Sequence, residues 1–172
     1  VHQFTVASDE NNVLTDFFNT GIYDRQRDFK VTNSPAMDIL VSSNLERLLY
    51  FASGRNDEEV RQYMKSLAEN GQYTLTDKTR NYLQKFTAKF ATQSQVVDTI
   101  KDVFENSGYL IDPHTAVGRF AYEEETHQTL LAATASPYKF PQTVLAALQE
   151  KNEGGVVDLQ KLAERTNTVI PA

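Results

Sequence analysis

Ser136 and Lys139 stand in "LLAATASPYKFPQ" (Leu130–Gln142) at the S-x-x-K spacing in which a lysine activates a serine nucleophile. That chemistry also needs a K-T-G strand, and the sequence has none, so the two fixed residues read as coincidence. Lys139 as an imine-forming lysine would need desolvation or a neighbouring cation. It sits instead in a polar turn beside Pro137 and Tyr138, which favours a solvated side chain. Thr134 ends the apolar run just before the turn, where sheet proteins place ligand-binding side chains. Its hydroxyl can donate and accept towards a ligand, or satisfy its own turn; pattern leaves both open. In "IDPHTAVGRF", Pro113 opens a helix with His114 and Thr115 in its first turn. The N–H groups there favour a phosphate or carboxylate, which these two side chains could face, or they simply cap the helix. Gly118, one turn on, permits close approach of another backbone. Asn44 falls inside an apolar stripe, where an unpaired carboxamide would cost about 1–3 kcal/mol. Backbone, water or a ligand must bind it, with Asp38, Ser42 and Ser43 adding polar groups nearby.

Other chemistries find no support. The histidines are His2, His114 and His127, without HExxH or clustered ligand spacing, so no metal site is expected. No Walker loop, GxGxxG or GxSxG is present. Cysteine is absent, which removes disulfides and thiolate chemistry and fits a reducing, cytoplasmic setting. A net charge of -6, from 17 Lys+Arg against 23 Asp+Glu, argues against a nucleic-acid surface. No apolar segment of about 18 residues suggests a membrane span. The 172 residues suffice for one domain with a real core, and 40% hydrophobic content is ordinary for a soluble protein.

The elements that must position these residues are mostly helical. "VHQFTVAS" alternates like a half-buried strand, and Gln128–Thr134 reads as a second, with "TNTVI" a weak third. Ser8 or Asp9 caps a helix carrying Val13, Leu14, Phe17 and Phe18, stopped by Gly21. Pro35 opens the longest helix, with Met37, Leu40, Val41, Leu45, Leu48, Leu49 and Ala52 as its stripe and Gly54 at its end. "NDEEVRQYMKSLAENG" is a capped amphipathic helix, and another is expected from Thr76 to about Phe86. Thr92 and Gln95 form a capping box for a helix stopped by Gly108. Residues 55–107 are thus expected to be strand-free. Helices follow in "GYLIDPHTAVGRFAYEEET", from Pro141 to about Glu150, and around Val157–Glu164. Two or three scattered strands make a poor sheet. The pattern therefore fits either a piece of a larger protein or a complete α+β domain with a small sheet.

Taken in order, "ASDENNVLTDFFNTGIYDRQRDF", "SPAMDILVSSNLERLLY", "GYLIDPHTAVG" and "TASPYKFPQTV" resemble the C-terminal half of bacterial and fungal threonine synthases. The resemblance runs nearly the full length and is loosest over residues 55–92. It implies an α/β fold: the C-terminal part of a fold type II pyridoxal-phosphate enzyme, three-layer α/β/α and tryptophan-synthase-like, here helix-rich with two or three strands. It implies residues 1–54 continuing the cofactor domain, 55–107 a helical subdomain, and 108–172 a return to the cofactor domain. The implied enzyme is a carbon–oxygen lyase of threonine biosynthesis that turns O-phospho-L-homoserine and water into L-threonine and phosphate, with pyridoxal 5'-phosphate as cofactor.

The resemblance also implies that the Schiff-base lysine, in a Phe-Lys-Asp context, and the glycine-rich phosphate loop lie upstream. No FKD occurs here; "RDFK" ending at Lys30 has the wrong order. This chain is then expected to carry no catalytic residue and to be inactive alone, partnered by the missing N-terminal half of the same protein. Thr134 matches the threonine that faces the pyridine nitrogen, with Ala133 replacing the serine before it. Ser34, Asp38, Asn44 and Arg47 match one block and Asn11 and Asn12 another, and with His114 and Thr115 they are expected near the substrate; Asp9-Glu10 departs from the family's Asn-Asp. No membrane or nucleic-acid partner is expected, while exposed sheet edges favour self-association. Two other readings stand beside this one: a non-catalytic helical interaction module, and a related pyridoxal-phosphate lyase acting on another amino acid.

Overall fold

The computed structural model describes residues 1–122 and 128–171. The chain forms two compact units, Val1–Val31 with Met37–Phe90, and Thr32–Ala36 with Ala91–Ala172.

The first unit contains β1 (Phe4–Ser8), α1 (Val13–Thr20), β2 (Ile22–Asp24), α2 (Leu45–Ala52), α3 (Asp57–Asn70), β3 (Gln72–Thr74), α4 (Asp77–Tyr82) and β4 (Phe86–Phe90). β1 pairs in parallel with β4, Phe4 opposite Phe86 and Ser8 opposite Phe90. β2 pairs antiparallel with β3, Ile22 opposite Thr74. Gly21 takes the left-handed conformation (φ 77°) that closes α1 and turns the chain into β2. The core is aromatic. Phe17, fully buried, meets the Tyr23 ring edge-on at 5.6 Å; Tyr23 stacks on Tyr73 at 5.3 Å and Tyr73 on Tyr63 at 5.0 Å. Phe86 stacks between Phe4 and Phe18 and ties β1 and β4 to α1. Fully burying a ring such as that of Phe17 contributes about 1.5–3 kcal/mol.

The second unit contains α5 (Gln93–Ser107), α6 (Pro113–Ala121), α7 (Pro141–Ala147) and α8 (Val156–Thr166). α5 packs on α6 and α7, and α7 on α8. Val96, Ile100, Ala116, Val117, Val144, Leu145 and Leu162 form the buried interior. The capping box read from the sequence is present: the Thr92 hydroxyl accepts from Gln95 N, and Gln95 Oε1 accepts from Thr92 N at 2.9 Å. No helix among the described residues is long and apolar enough to cross a membrane.

The fold is mixed α/β and helix-rich with small sheets, and four expectations change. First, Pro35 opens only a 3-10 turn, Pro35–Met37, and the helix proper starts at Leu45. The Tyr23 hydroxyl donates to Leu40 O at 3.1 Å and accepts from Ser42 N at 2.9 Å, so it takes backbone groups that a helix would use. Second, residues 55–107 are not strand-free, since β3 and β4 lie there. These strands exist through partners far away in sequence, which local periodicity does not register. Third, the helix expected to reach Phe86 ends at Tyr82, continues as a 3-10 turn through Lys85, and gives way to β4. Fourth, neither Gln128–Thr134 nor "TNTVI" is a strand. No ladder neighbour among the described residues pairs with either, and Leu130 is 96% exposed. The expected continuation of the helix through "EEET", and His127, lie outside the described residues.

Candidate functional site

A buried polar cluster lies at the start of α6. Asp112 is the N-cap and is 1% exposed. Its Oδ1 accepts from His114 N at 2.9 Å and Thr115 N at 3.3 Å, satisfying two donors that a helix start leaves open. The same oxygen meets His114 Nδ1 at 2.9 Å, and Oδ2 accepts from the Thr115 hydroxyl. Burial pushes the Asp112 carboxyl up, but the bonds from His114 and Thr115 outweigh it and hold the group below its ordinary range. Across the ring, His114 Nε2 accepts from Ala36 N at 3.0 Å, and the Phe140 ring packs against the imidazole at 4.5 Å. His114 and Thr115 therefore turn inward to Asp112 rather than outward to a ligand. Asp112 itself escaped the sequence reading, although Asp before a first-turn proline is the signal of an N-cap.

Ser34 is also in this unit and is fully buried, with its hydroxyl 3.1 Å from that of Thr32. Asn33 Nδ2 donates to Gln93 O at 3.0 Å. Thr134 is exposed, in irregular chain ahead of the 3-10 turn Pro137–Lys139. Ser136 caps that turn through Tyr138 N, and Lys139 is exposed within it, so the S-x-x-K pair is local turn geometry. Gly118 accommodates a side chain rather than a backbone: a Cβ there would come within 2.8 Å of Leu131 Cδ1.

In the first unit, the Asn11 carboxamide is fully committed. Its Nδ2 donates to Lys30 O at 2.8 Å and Asp38 Oδ1 at 3.0 Å, and its Oδ1 accepts from Lys30 N at 2.9 Å. Asp9 Oδ1 in turn accepts from Asn11 N at 2.8 Å. Asn12 Oδ1 accepts from Arg27 Nη1, which also pairs with Asp16 at 2.7 Å. Asn11, Asn12 and Asp38 thus fix the loops around α1. Asn44 is exposed, not buried in a stripe, because α2 begins only after it, at Leu45; its Oδ1 accepts from the exposed Arg47 at 2.6 Å. No group of three potential metal ligands occurs among the described residues.

No family model matches the sequence. The chain is 33% identical over 156 residues to threonine synthase-like 1 of Homo sapiens, covering 88% of this chain and 21% of that protein. It is 34% identical over 169 residues to threonine synthase of Saccharomyces cerevisiae, covering 86% of this chain and 33% of that protein. Among solved structures, pyridoxal-phosphate-bound threonine synthase from Brucella melitensis superposes with a TM-score of 0.81 at 34% identity, over 95% of this chain and 36% of that one. The chain spans roughly a third or less of the curated relatives it matches.

Proposed function

From the homology of this chain to about a third of threonine synthase, we propose that it is the C-terminal portion of that enzyme. The whole protein then converts O-phospho-L-homoserine and water to L-threonine and phosphate. The superposition on the cofactor-bound enzyme over 95% of this chain, at 34% identity, is the observation that carries the reading.

Pyridoxal phosphate, when bound, supplies the electron sink for carbanion chemistry on the amino-acid substrate. On this chain, Thr134 fits one contact with it. The side chain is exposed, and its neutral hydroxyl can donate to a pyridine nitrogen without enforcing a pyridinium. Such a contact limits the sink, which suits a reaction that expels phosphate at one carbon and adds water at the next. In the first unit, exposed Arg47, held by Asn44, offers a guanidinium suited to the phosphate of the substrate. The buried Ser34 and the committed Asn11, Asn12 and Asp38 fit shaping of the surroundings better than direct contact.

The test uses the full-length enzyme. Thr134→Val removes the hydroxyl at nearly constant volume and should lower kcat by about tenfold or more, the cost of one catalytic hydrogen bond, with a shifted cofactor spectrum. Unchanged rate and spectrum would remove the pyridine-contact assignment. The 172-residue chain alone, given cofactor and phosphohomoserine, should form no threonine. The similarity to threonine synthase-like 1 favours a second reading, a related lyase acting on another substrate. Substrate comparison on the full-length protein separates the two.

A further inference from the structure

We propose that Asp112 and His114 are positioning residues: together they clamp the segment Thr32–Ala36 against the start of α6, and neither side chain meets the substrate. The inference rests on the functional reading above only where it links the clamp to turnover.

The Ala36 amide lies in the first turn of the short 3-10 helix Pro35–Met37, where an N–H has no partner within its own helix. His114 Nε2 fills that role at 3.0 Å. A ring nitrogen that accepts carries no proton, so the neutral imidazole holds its proton on Nδ1. Nδ1 lies 2.9 Å from Asp112 Oδ1, so Asp112 selects this tautomer and fixes the plane of the ring. A carboxylate that orients a histidine in this way sets what the other nitrogen can do. The remaining capacity of Asp112 is taken by two backbone amides and the Thr115 hydroxyl, and Phe140 closes one side of the ring. At the other end of the segment, Asn33 is tied to Gln93 O at 3.0 Å. Thr32–Ala36 is thus pinned to two helices by side chains, and the imidazole is the only one of these ties whose direction depends on a tautomer.

Two substitutions separate the two nitrogens. His114→Asn keeps a donor at the Nδ1 position for Asp112 and leaves nothing at Nε2. His114→Gln keeps an acceptor at the Nε2 position. In the 172-residue chain, nitrogen-15 spectra of the wild type should show Nε2 unprotonated and Nδ1 protonated. Exchange of the Ala36 amide, followed by NMR, should speed up by about tenfold or more in the Asn variant and by less than about threefold in the Gln variant. Equal exchange in both variants, or a protonated Nε2 in the neutral wild-type ring, overturns the clamp.

In the full-length enzyme the same pair should split in kcat/KM for phosphohomoserine, the Asn variant losing about tenfold and the Gln variant staying near wild type. A merely structural histidine would lower the melting temperature of both variants without that split. Wild-type kinetics in both would overturn the positioning role. Should the wild-type full-length protein make no threonine, the functional reading falls, and the Ala36 exchange alone decides the clamp.

Discussion

Tyr23 and Tyr73 stack face to face, 5.3 Å apart, yet their hydroxyls differ in worth. The Tyr23 hydroxyl bridges Leu40 O and Ser42 N and shapes the irregular segment ahead of α2. The Tyr73 hydroxyl is buried with no hydrogen-bond partner among the described residues, and burial, with Tyr23 and Tyr63 adding to it, pushes its pKa far above the ordinary tyrosine value. The same substitution should therefore have opposite outcomes. Tyr23→Phe leaves two backbone groups unpaired and should cost about 1–3 kcal/mol. Tyr73→Phe removes only a group that burial penalises, and should be neutral or stabilising by up to about 1 kcal/mol. Urea denaturation of the two variants checks the sign; equal destabilisation would refute the argument.

At the scale of elements, what the sequence displayed was what neighbours in sequence decide. Thr92 and Gln95 announce the start of α5 because the cap closes within four residues, and Pro113 announces α6 for the same reason. Thr92→Ala should lower stability by about 1 kcal/mol, read as an earlier urea midpoint at unchanged m-value. The errors fell where a distant partner decides. β4 is a strand because β1 lies beside it, and residues 38–44 are not helical because Tyr23 holds them. Apolar spacing suggested helix through residues 38–44 and gave no sign of a strand at 86–90. Thr134 and Arg47 are proposed from the sequence blocks they sit in, whereas the inward turn of His114 could not be read that way. Its direction is set by Asp112 and by Ala36, 78 positions away in the chain.

At the scale of the whole molecule, the two units share a dependence on acid. In the first, Glu59 Oε1 accepts from the hydroxyls of Tyr63 at 2.6 Å, Thr76 at 2.8 Å and Thr79 at 2.7 Å. Burial pushes this carboxyl up, but the bonds from Thr79, Tyr63 and Thr76 and the charge of Lys78 outweigh it and lower its pKa. In the second, Asp112 is lowered for the reasons given above. A carboxyl whose folded pKa lies below its unfolded value releases its proton more readily in the folded chain. Its contribution is complete above the unfolded pKa, about 4 for both residue types, and is lost as pH falls through the folded value. Between neutral pH and about pH 5 stability should therefore change little on account of these two groups, and it should decline below that. Glu59→Gln and Asp112→Asn should each flatten part of that decline while lowering stability at neutral pH by about 1–3 kcal/mol. Denaturant midpoints measured from pH 7 to pH 3 on the wild type and both variants decide it: acid limbs parallel to the wild type would show that neither carboxylate carries the dependence.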